Sequence, residues 1–290
     1  MGRSQWWWRI GLLALPLGVY GAFVVWPLLS SFAYSATNWN GFARTFTVVG
    51  LDNFRSLARD PLFAGAMRNT LIWTVAAVLL PNGLGFLLAL GLERSVQGSS
   101  LLKSVFYLPV CLSAVVVGQI WIWIYRPDWG VLNTLLGALG FPQGQRAWLA
   151  EPKSALFAII AAWSWQQTGL SMVIYLSGLT NVPHDLLEAA ALDGASYWGR
   201  LRHIVMPMLT PATIVVIALS VITSLKNFDI VYIMTGGNYG TEVIANRMYQ
   251  EQYSSFNTGR AAAIAVVLIV VIIPAMYINI RRFRAEEAMR

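Results

Sequence analysis

The chain has 290 residues, of which 57% are apolar and 11% charged, and it carries a formal net charge of +7. Charged residues make up about a quarter of an average soluble domain, so this composition argues against a protein surrounded by water alone and indicates a membrane protein. The Lys and Arg residues lie scattered between apolar runs and form no basic stripe, which argues against nucleic acid as a partner.

Six apolar runs are long enough to cross a bilayer, whose hydrocarbon core of about 30 Å takes roughly 20 helical residues. They are residues 10–31, 70–92, 105–125, 155–177, 210–236 and 261–280. The first is longer than the roughly 7–15 apolar residues of a signal peptide, so we interpret it as a retained span. The sequence predicts an all-α, polytopic membrane protein with six transmembrane helices. No loop is long enough for a soluble core, which predicts a single transmembrane domain over residues 1–290.

Six spans place both termini on the same side of the membrane. The Lys and Arg residues on that side crowd into short loops and around the ends of spans, which favours the cytoplasm under the positive-inside rule. The loops on the other side are longer and rich in Asn, Gly and aromatic residues. The charge pattern therefore predicts cytoplasmic termini.

The sequence lacks the common motifs of catalytic and nucleotide-binding sites. It has no G-x-x-x-x-G-K-[ST] phosphate loop, no H-E-x-x-H and no paired metal-ligand spacing. His184 and His203 fall in one loop, where we interpret them as solvated side chains. The apolar runs carry few ionisable groups, so a converging acid or nucleophile pair is also missing. The sequence predicts a chain that is not an enzyme and has no cofactor of its own.

The fourth run contains polar side chains where hydrocarbon surroundings make an unpaired amide costly. Gln167 and Ser171 lie four residues apart and share a helical face, with Gln166 and Trp163 beside it. Hydrogen bonds between packed helices would explain one or two such residues. Together with a second polar stripe in the fifth run, they favour a water-filled path.

The loop after the fourth run reads LTNVPHDLLEAAALDGASYWGRLRHIVMPMLTPA. Pro183 suits a first helical turn, Gly194 permits a backbone turn, and Ser196 can cap a second short helix that ends before Pro207. The pattern predicts a helix, a turn and a helix outside the membrane. Composition alone leaves open an amphipathic connector that rests on the headgroups.

The order and spacing of nine residues in this loop resemble the EAA motif of membrane subunits of binding-protein-dependent ABC importers. They are Glu188, Ala189, Ala190, Asp193, Gly194, Ala195, Ile204, Pro207 and Pro211. The resemblance implies a cytoplasmic coupling loop over about residues 179–207 that docks on an ATPase subunit. The docking residues would be Glu188, Ala189, Ala190, Asp193, Gly194 and Ala195.

Other stretches are similar to the maltose-type sugar permeases, among them VGLDNFRSLARDPLF, FYLPV and MTGGNYGTEV. The last resembles the first of that family's two paired permeases, although Asn238 stands where a proline usually follows the glycines. The resemblance implies a type I ABC importer transmembrane domain in the lipid of a bacterial cytoplasmic (inner) membrane, with cytoplasmic termini. It also implies a second permease, two ATPase subunits that use ATP and Mg, and an extracytoplasmic solute-binding protein.

The fifth run repeats the polar pattern of the fourth. Four of its residues, spaced i, i+3, i+4 and i+7, share one face of a continuous helix: Ser220, Thr223, Ser224 and Asn227. Their hydroxyl and amide groups can donate to and accept from sugar hydroxyls, and in the maltose-type family matching positions of both spans line the sugar site. Lys226 and Asp229, spaced i, i+3, are expected to form an ion pair, as a gate or beside an anionic group of the solute.

Two alternatives stay open at this stage. A glycerol 3-phosphate permease shares the same motifs, and the positive charge of Lys226 suits a phosphate. A secondary transporter would work without ATP, although such proteins more often show inverted repeats or half-helices broken by Gly and Pro. The solute itself is not named by the sequence.

Overall fold

The computed structural model of the protein describes residues 3–93, 98–141 and 144–287. In these residues helices are joined by turns and loops, with an isolated β-bridge between Thr37 and Val48 and no β-strand. The predicted all-α class is confirmed.

The helices are, in chain order, α1 (Arg3–Tyr20), α2 (Trp26–Ser35), α3 (Asp52–Ala58), α4 (Pro61–Glu93), α5 (Ser99–Tyr107), α6 (Ala114–Ile124), α7 (Val131–Ala138), α8 (Ala155–Leu179), α9 (His184–Leu192), α10 (Tyr197–Arg200), α11 (Met206–Met208), α12 (Thr210–Leu225), α13 (Asp229–Thr235), α14 (Ile244–Tyr253) and α15 (Thr258–Glu287). A π-helical turn, Gly21–Val25, joins α1 to α2, and another, Leu201–Val205, joins α10 to α11. A 3₁₀ turn, Leu108–Cys111, follows α5.

All six predicted apolar runs fall on helical segments. By length and hydropathy, two stretches of the described chain, Leu12–Ser35 and Pro61–Glu93, could each cross a membrane. Two further pairs of helices are each bent at a short break, and if each pair counts as one span, the number of candidate spans rises to 4. They are Ser99–Cys111 with Ala114–Ile124, bent by 102°, and Tyr197–Met208 with Thr210–Leu225, bent by 65°. The helix α8 and the apolar part of α15 cover the remaining two runs.

The fifth run is not the continuous helix over 210–236 that its pattern predicts. The helix α12 ends at Leu225 and α13 begins at Asp229, so Lys226 and Asn227 lie in a break. The physical reason is local, because an Asn side chain competes with the backbone for hydrogen bonds, and an acidic residue favours the first turn of a new helix.

The described chain forms two compact units, and the first combines Met1–Ala64 with Arg247–Val270. In this unit the segment after α2 packs on the start of α15, where the Gly259 N–H donates to the Trp39 carbonyl at 2.9 Å. The Asn53 side-chain amide donates to the carbonyls of Ser35 and Thr37, both at 2.8 Å. These bonds satisfy loop carbonyls that no helix or sheet would pair.

A cluster of four charged side chains, largely buried, lies in the first unit: Asp60, Arg247, Glu251 and Arg260. Arg247 Nη2 lies 3.4 Å from Asp60 Oδ2 and 2.7 Å from Glu251 Oε1. Arg260 contacts the Asp60 carboxylate, and its Nε lies 3.3 Å from Glu251 Oε1. Each carboxylate therefore contacts both arginines, and these attractions offset the free energy required to remove the four charges from water.

The second unit combines Gly65–Asn246 with Val271–Arg290, and α8 is buried along most of its length in it. Two glycines allow neighbouring helices to approach α8 closely. A Cβ added to Gly85 on α4 would lie 2.6 Å from Ser171 Cβ, and one added to Gly169 would collide with the Phe106 carbonyl of α5. Small residues at such crossings are the usual way in which membrane helices pack.

Candidate functional site

Three buried polar side chains from three helices form what we call the polar triad: Asn82 on α4, Ser171 on α8 and Ser220 on α12. The Ser171 hydroxyl donates to Asn82 Oδ1 at 2.6 Å, and Asn82 Nδ2 donates to the Ser220 hydroxyl at 3.0 Å. Asn82 Nδ2 also reaches the Val78 carbonyl at 2.9 Å. Ser171 and Ser220, both expected to line a path, therefore bond to a neighbouring helix.

Other predicted path residues are also bonded within the unit. Ser224 Oγ lies 3.1 Å from Thr74 Oγ1 on α4. Gln166 is buried and donates to the Leu112 carbonyl at 2.8 Å, in the bend between α5 and α6. Trp163 is buried with its ring edge-on to Trp73, at a centroid distance of 6.0 Å. These contacts match the helix-packing interpretation of the polar residues more closely than the path interpretation.

A narrow cleft of about 50 Å³ runs along the seam between α8 and α12. Five predicted path residues line it: Trp163, Gln167, Ser171, Ser220 and Thr223. Gln167 is half-buried and Thr223 is exposed, so their polar groups remain accessible from this seam. Since a water molecule takes about 30 Å³ of liquid and small-ligand pockets about 300–1,000 Å³, the seam cleft admits water but does not enclose a sugar.

A larger groove of about 700 Å³ continues along the same two helices toward the loop before α9. It is lined by Ser177, Asn181, Met208 and Pro211, and it shares Ile174 with the seam cleft. Gly178 lies at its base, because a Cβ there would come within 2.7 Å of Leu209 Cδ2. The open volume along the seam therefore increases from the seam cleft toward the loop before α9.

The break after α12 separates Asn227 from the stripe predicted for it. The Asn227 N–H donates to the Ser224 carbonyl at 3.3 Å, and its Nδ2 is buried without a hydrogen-bond partner in the described structure. Lys226 and Asp229 are both exposed, and the described structure has no ion pair between them. The helical i, i+3 spacing on which that expected pair depended is lost in the break.

The loop that carries the EAA pattern forms the predicted helix, turn and helix. The helix α9 begins after Pro183, Gly194 takes the left-handed conformation with φ of +83°, and the Ser196 hydroxyl accepts from the Gly199 N–H at 3.1 Å. The second helix does not end before Pro207 as expected. It continues through a π-helical turn into α11, where Pro207 occupies the first turn and its missing N–H costs little.

The motif residues of this loop are accessible. Glu188, Ala189, Asp193, Gly194 and Ala195 are exposed, and Ala190 is half-buried. Large apolar side chains beside them are exposed as well, with Leu192 at 89% and Trp198 at 73%. Apolar side chains of this size clustered on a short helical loop are typical of a protein contact surface.

Hydrogen bonds of Asn238 hold the loop after α13. The side-chain Nδ2 of Asn238 donates to the Thr235 carbonyl at 2.9 Å, and the Asn238 carbonyl accepts from the Thr241 N–H at 3.2 Å. Asn69 on α4 then donates to the carbonyls of Gly240 and Glu242, at 2.7 and 2.9 Å. The Asn238 side chain therefore closes this turn by hydrogen bonding.

Sequence reasoning missed the polar residues of α4, namely Asn69, Thr74 and Asn82. For Thr74 and Asn82 the signal was present, because they are polar side chains within the second apolar run, as in the fourth and fifth runs, whereas Asn69 precedes that run. Within the described residues no group of three His, Cys, Asp or Glu side chains could hold a metal ion.

Comparison with known proteins finds a family described as binding-protein-dependent transport system inner membrane component, which matches residues 81–282. A probable ABC transporter permease protein of Pyrococcus horikoshii is 37% identical over 95% of this chain and 94% of its own. An osmoprotective compounds uptake permease protein of Synechocystis is 39% identical over 93% of this chain and 96% of its own. A trehalose/maltose transport system permease protein of Thermococcus litoralis is 30% identical over 95% of this chain and 94% of its own.

Two solved structures share the fold. One is a bacterial ABC transporter involved in the import of alginate, with a TM-score of 0.82, 23% identity and coverage of 96% of both chains. The other is a bacterial alginate ABC transporter in complex with an alginate-bound periplasmic protein, with a TM-score of 0.80, 23% identity and coverage of 95% of both chains. The helical, polytopic type I importer fold is thereby confirmed. This chain belongs to the family of binding-protein-dependent transport system inner membrane components, and it is a non-enzymatic permease subunit of an ABC transporter in the inner membrane.

Proposed function

We propose that this chain is the first of two paired permease subunits of an importer that moves a sugar or oligosaccharide into the cytoplasm. The observation that carries the proposal is the exposed helix α9 with its EAA residues, on a chain whose relatives include a trehalose/maltose permease. Membership of a binding-protein-dependent family also supports an extracytoplasmic solute-binding protein as a partner.

The helix α9 is the proposed contact with an ATPase subunit. Its alanines leave room for close docking, and the exposed carboxylates of Glu188 and Asp193 can pair with donors across the interface. Two such ATPase subunits would use ATP and Mg, one below each permease. Because such ATPases are cytosolic, the proposed contact supports a cytoplasmic position for α9 and for both termini. ATP-driven closure would then move α9 and rock the bundle between inward-open and outward-open states.

The proposed solute path follows the seam between α8 and α12. Gln167 and Thr223 offer accessible amide and hydroxyl groups along it, and Asn227, just after α12, has a buried Nδ2 without a hydrogen-bond partner among the described residues. These groups suit sugar hydroxyls, which need partners that both donate and accept. One chain encloses only about 50 Å³ at the seam cleft. A second permease is therefore proposed to supply the facing wall.

A second candidate solute is a phosphorylated polyol such as glycerol 3-phosphate. The ammonium of Lys226 beside Asn227 favours it, because Lys226 is exposed and forms no ion pair with a described residue, and a phosphate would supply the charge partner that Asp229 does not. Competition between a neutral sugar and glycerol 3-phosphate in an uptake assay separates the two candidates.

The test of this function is to tag the chain, extract it in mild detergent, identify the proteins that co-purify and assay ATP hydrolysis. We expect a second six-span permease, an ATPase subunit, and hydrolysis stimulated by a sugar-loaded binding protein. Solute movement in vesicles by the chain alone, without ATP, would instead identify a secondary transporter and overturn the proposal.

A further inference from the structure

A pocket of about 540 Å³ lies between the end of α4, the helix α9 and the segment that follows the turn after α9. The end of α4 contributes Leu90 and Glu93, and α9 contributes His184 and Leu187, spaced i, i+3 on one face. The segment after the turn closes the pocket with Tyr197 and Arg200. Its volume is that of a small-ligand site, and we call it the loop pocket. The exposed docking carboxylate Glu188 does not line it.

The loop pocket has an apolar half. Leu201 and Val205 are buried, and Leu90 and Leu187 complete the surface. Leu90 belongs to α4, a long apolar helix with the composition of a membrane span. The apolar half therefore adjoins the end of a helix that has the composition of a membrane span.

The polar half contains an acid and two basic side chains. Arg200 Nε is buried without a hydrogen-bond partner in the described part of the chain, and its Nη1 makes a long contact of 3.4 Å with the Leu187 carbonyl. Neither Glu93 nor His184 forms an ion pair with another described residue. A buried guanidinium donor without an acceptor points to an anionic ligand, because buried polar groups are otherwise paired.

The position of the pocket identifies where such a ligand comes from. The apolar helix α4 ends at Glu93, and Tyr197, which lines the pocket, is 46% exposed. Tyr and Trp side chains are enriched at the headgroup level of membranes. A ligand with an anionic group, a cationic group and an apolar tail, available at that level, is a phospholipid with an ammonium headgroup.

We propose that the loop pocket binds one phosphatidylethanolamine molecule. Its phosphate would meet Arg200 and His184, its ammonium would meet Glu93, and its acyl chain would lie on Leu90, Leu187, Leu201 and Val205. Basic pockets at the ends of membrane helices recognise lipid headgroups in this way. Lipid binding rests on the fold alone, whereas an effect of the lipid on coupling would rest on the proposed function of α9.

The test is native mass spectrometry of the full chain, purified with its co-purifying partners and titrated with phosphatidylethanolamine or phosphatidylglycerol. Arg200→Gln should weaken both lipids about tenfold, since it removes a charge-assisted contact with the phosphate. Glu93→Gln should weaken phosphatidylethanolamine alone, because phosphatidylglycerol has no ammonium. Arg202→Gln is the matched control, because Arg202 is exposed and lies outside the pocket.

The number of lipid molecules bound per protein is measured without any transport. A failure of lipid binding can therefore be distinguished from a failure of the proposed importer function. Equal phosphatidylethanolamine binding by Arg200→Gln, Glu93→Gln and Arg202→Gln would overturn the site. Displacement of the lipid by excess inorganic phosphate would show that the pocket binds a free anion, and it would overturn the assignment of a lipid as the ligand. Equal loss of both lipids in Glu93→Gln would overturn the ammonium contact. Retention of phosphatidylethanolamine by wild type, weaker binding of both lipids by Arg200→Gln and weaker binding of phosphatidylethanolamine alone by Glu93→Gln would establish the proposal.

Discussion

The Ser171 hydroxyl on α8 donates a hydrogen bond of 2.6 Å to the side-chain carbonyl of Asn82 on α4, in a buried setting. Asn82 is thus the centre of the polar triad, because its amide nitrogen donates to Ser220 on α12. One amide joins three helices at a depth where water is scarce. Hydrogen bonds of this kind between membrane helices average about 0.6 kcal/mol each and reach about 1.7 kcal/mol.

The first prediction concerns the stability of this triad. Asn82→Leu should lower the midpoint of thermal unfolding in detergent, with a loss of about 1–2 kcal/mol, because two serine hydroxyls lose their partner. In a Ser171→Ala, Ser220→Ala background the same change should cost less, since nothing is left unpaired. Equal losses in both backgrounds would show that the triad does not couple the helices.

The two adjacent glutamines should behave differently. Gln166→Leu should destabilise the chain, because the Leu112 carbonyl in the bend before α6 loses its donor. Gln167→Leu should leave thermal stability and assembly unchanged and should alter uptake, because Gln167 lines the seam cleft and no hydrogen bond joins its side chain to another described residue. Each variant is the control of the other, with unfolding midpoints and solute uptake measured for both. A Gln167→Leu variant with unchanged uptake and solute preference would contradict the proposed path.

The coupling role of α9 predicts a third result. Glu188→Lys should reduce solute-stimulated ATP hydrolysis and uptake at least tenfold while membrane insertion stays intact, because a carboxylate at the interface becomes a repelling cation. Asp128→Lys, an equal charge change at an exposed position of another loop, should have no such effect. Normal coupling in Glu188→Lys would remove Glu188 from the docking surface.

The parts of the molecule that depend on sequence-local physics were predictable. The apolar runs fall on helices, and Pro183, Gly194 and Ser196 mark the start of α9, the turn and the next cap. The role of each polar side chain was not predictable, because it depends on which helix lies opposite. Ser220 and Ser224 share a face with Thr223 in the pattern, yet both bond to α4 while Thr223 stays exposed.

Close helix crossings predict a fourth result. Gly169→Ala should destabilise the chain by about 1–3 kcal/mol, because the new methyl group would collide with the Phe106 carbonyl and lie 2.9 Å from Tyr107 Cα. Gly83→Ala is the matched control, because nothing lies within 4 Å of its added Cβ and alanine favours a helix over glycine. Thermal unfolding of both variants in one detergent checks the difference. A tolerated Gly169→Ala would mean that α5 does not cross α8 at this distance.

The charged cluster of the first unit predicts a fifth result. Arg260→Gln should destabilise that unit by about 3–5 kcal/mol, because Asp60 and Glu251, whose side chains are only 12% and 5% exposed, would keep their charges with one arginine fewer. Arg55→Gln breaks an ion pair with Asp52 whose side chains are 70% and 66% exposed, so it should change stability by less than about 1 kcal/mol. Unfolding midpoints at low and high salt distinguish the two pairs, since salt screens only the exposed one strongly. Equal small losses in both variants would show that the cluster is hydrated and contributes little.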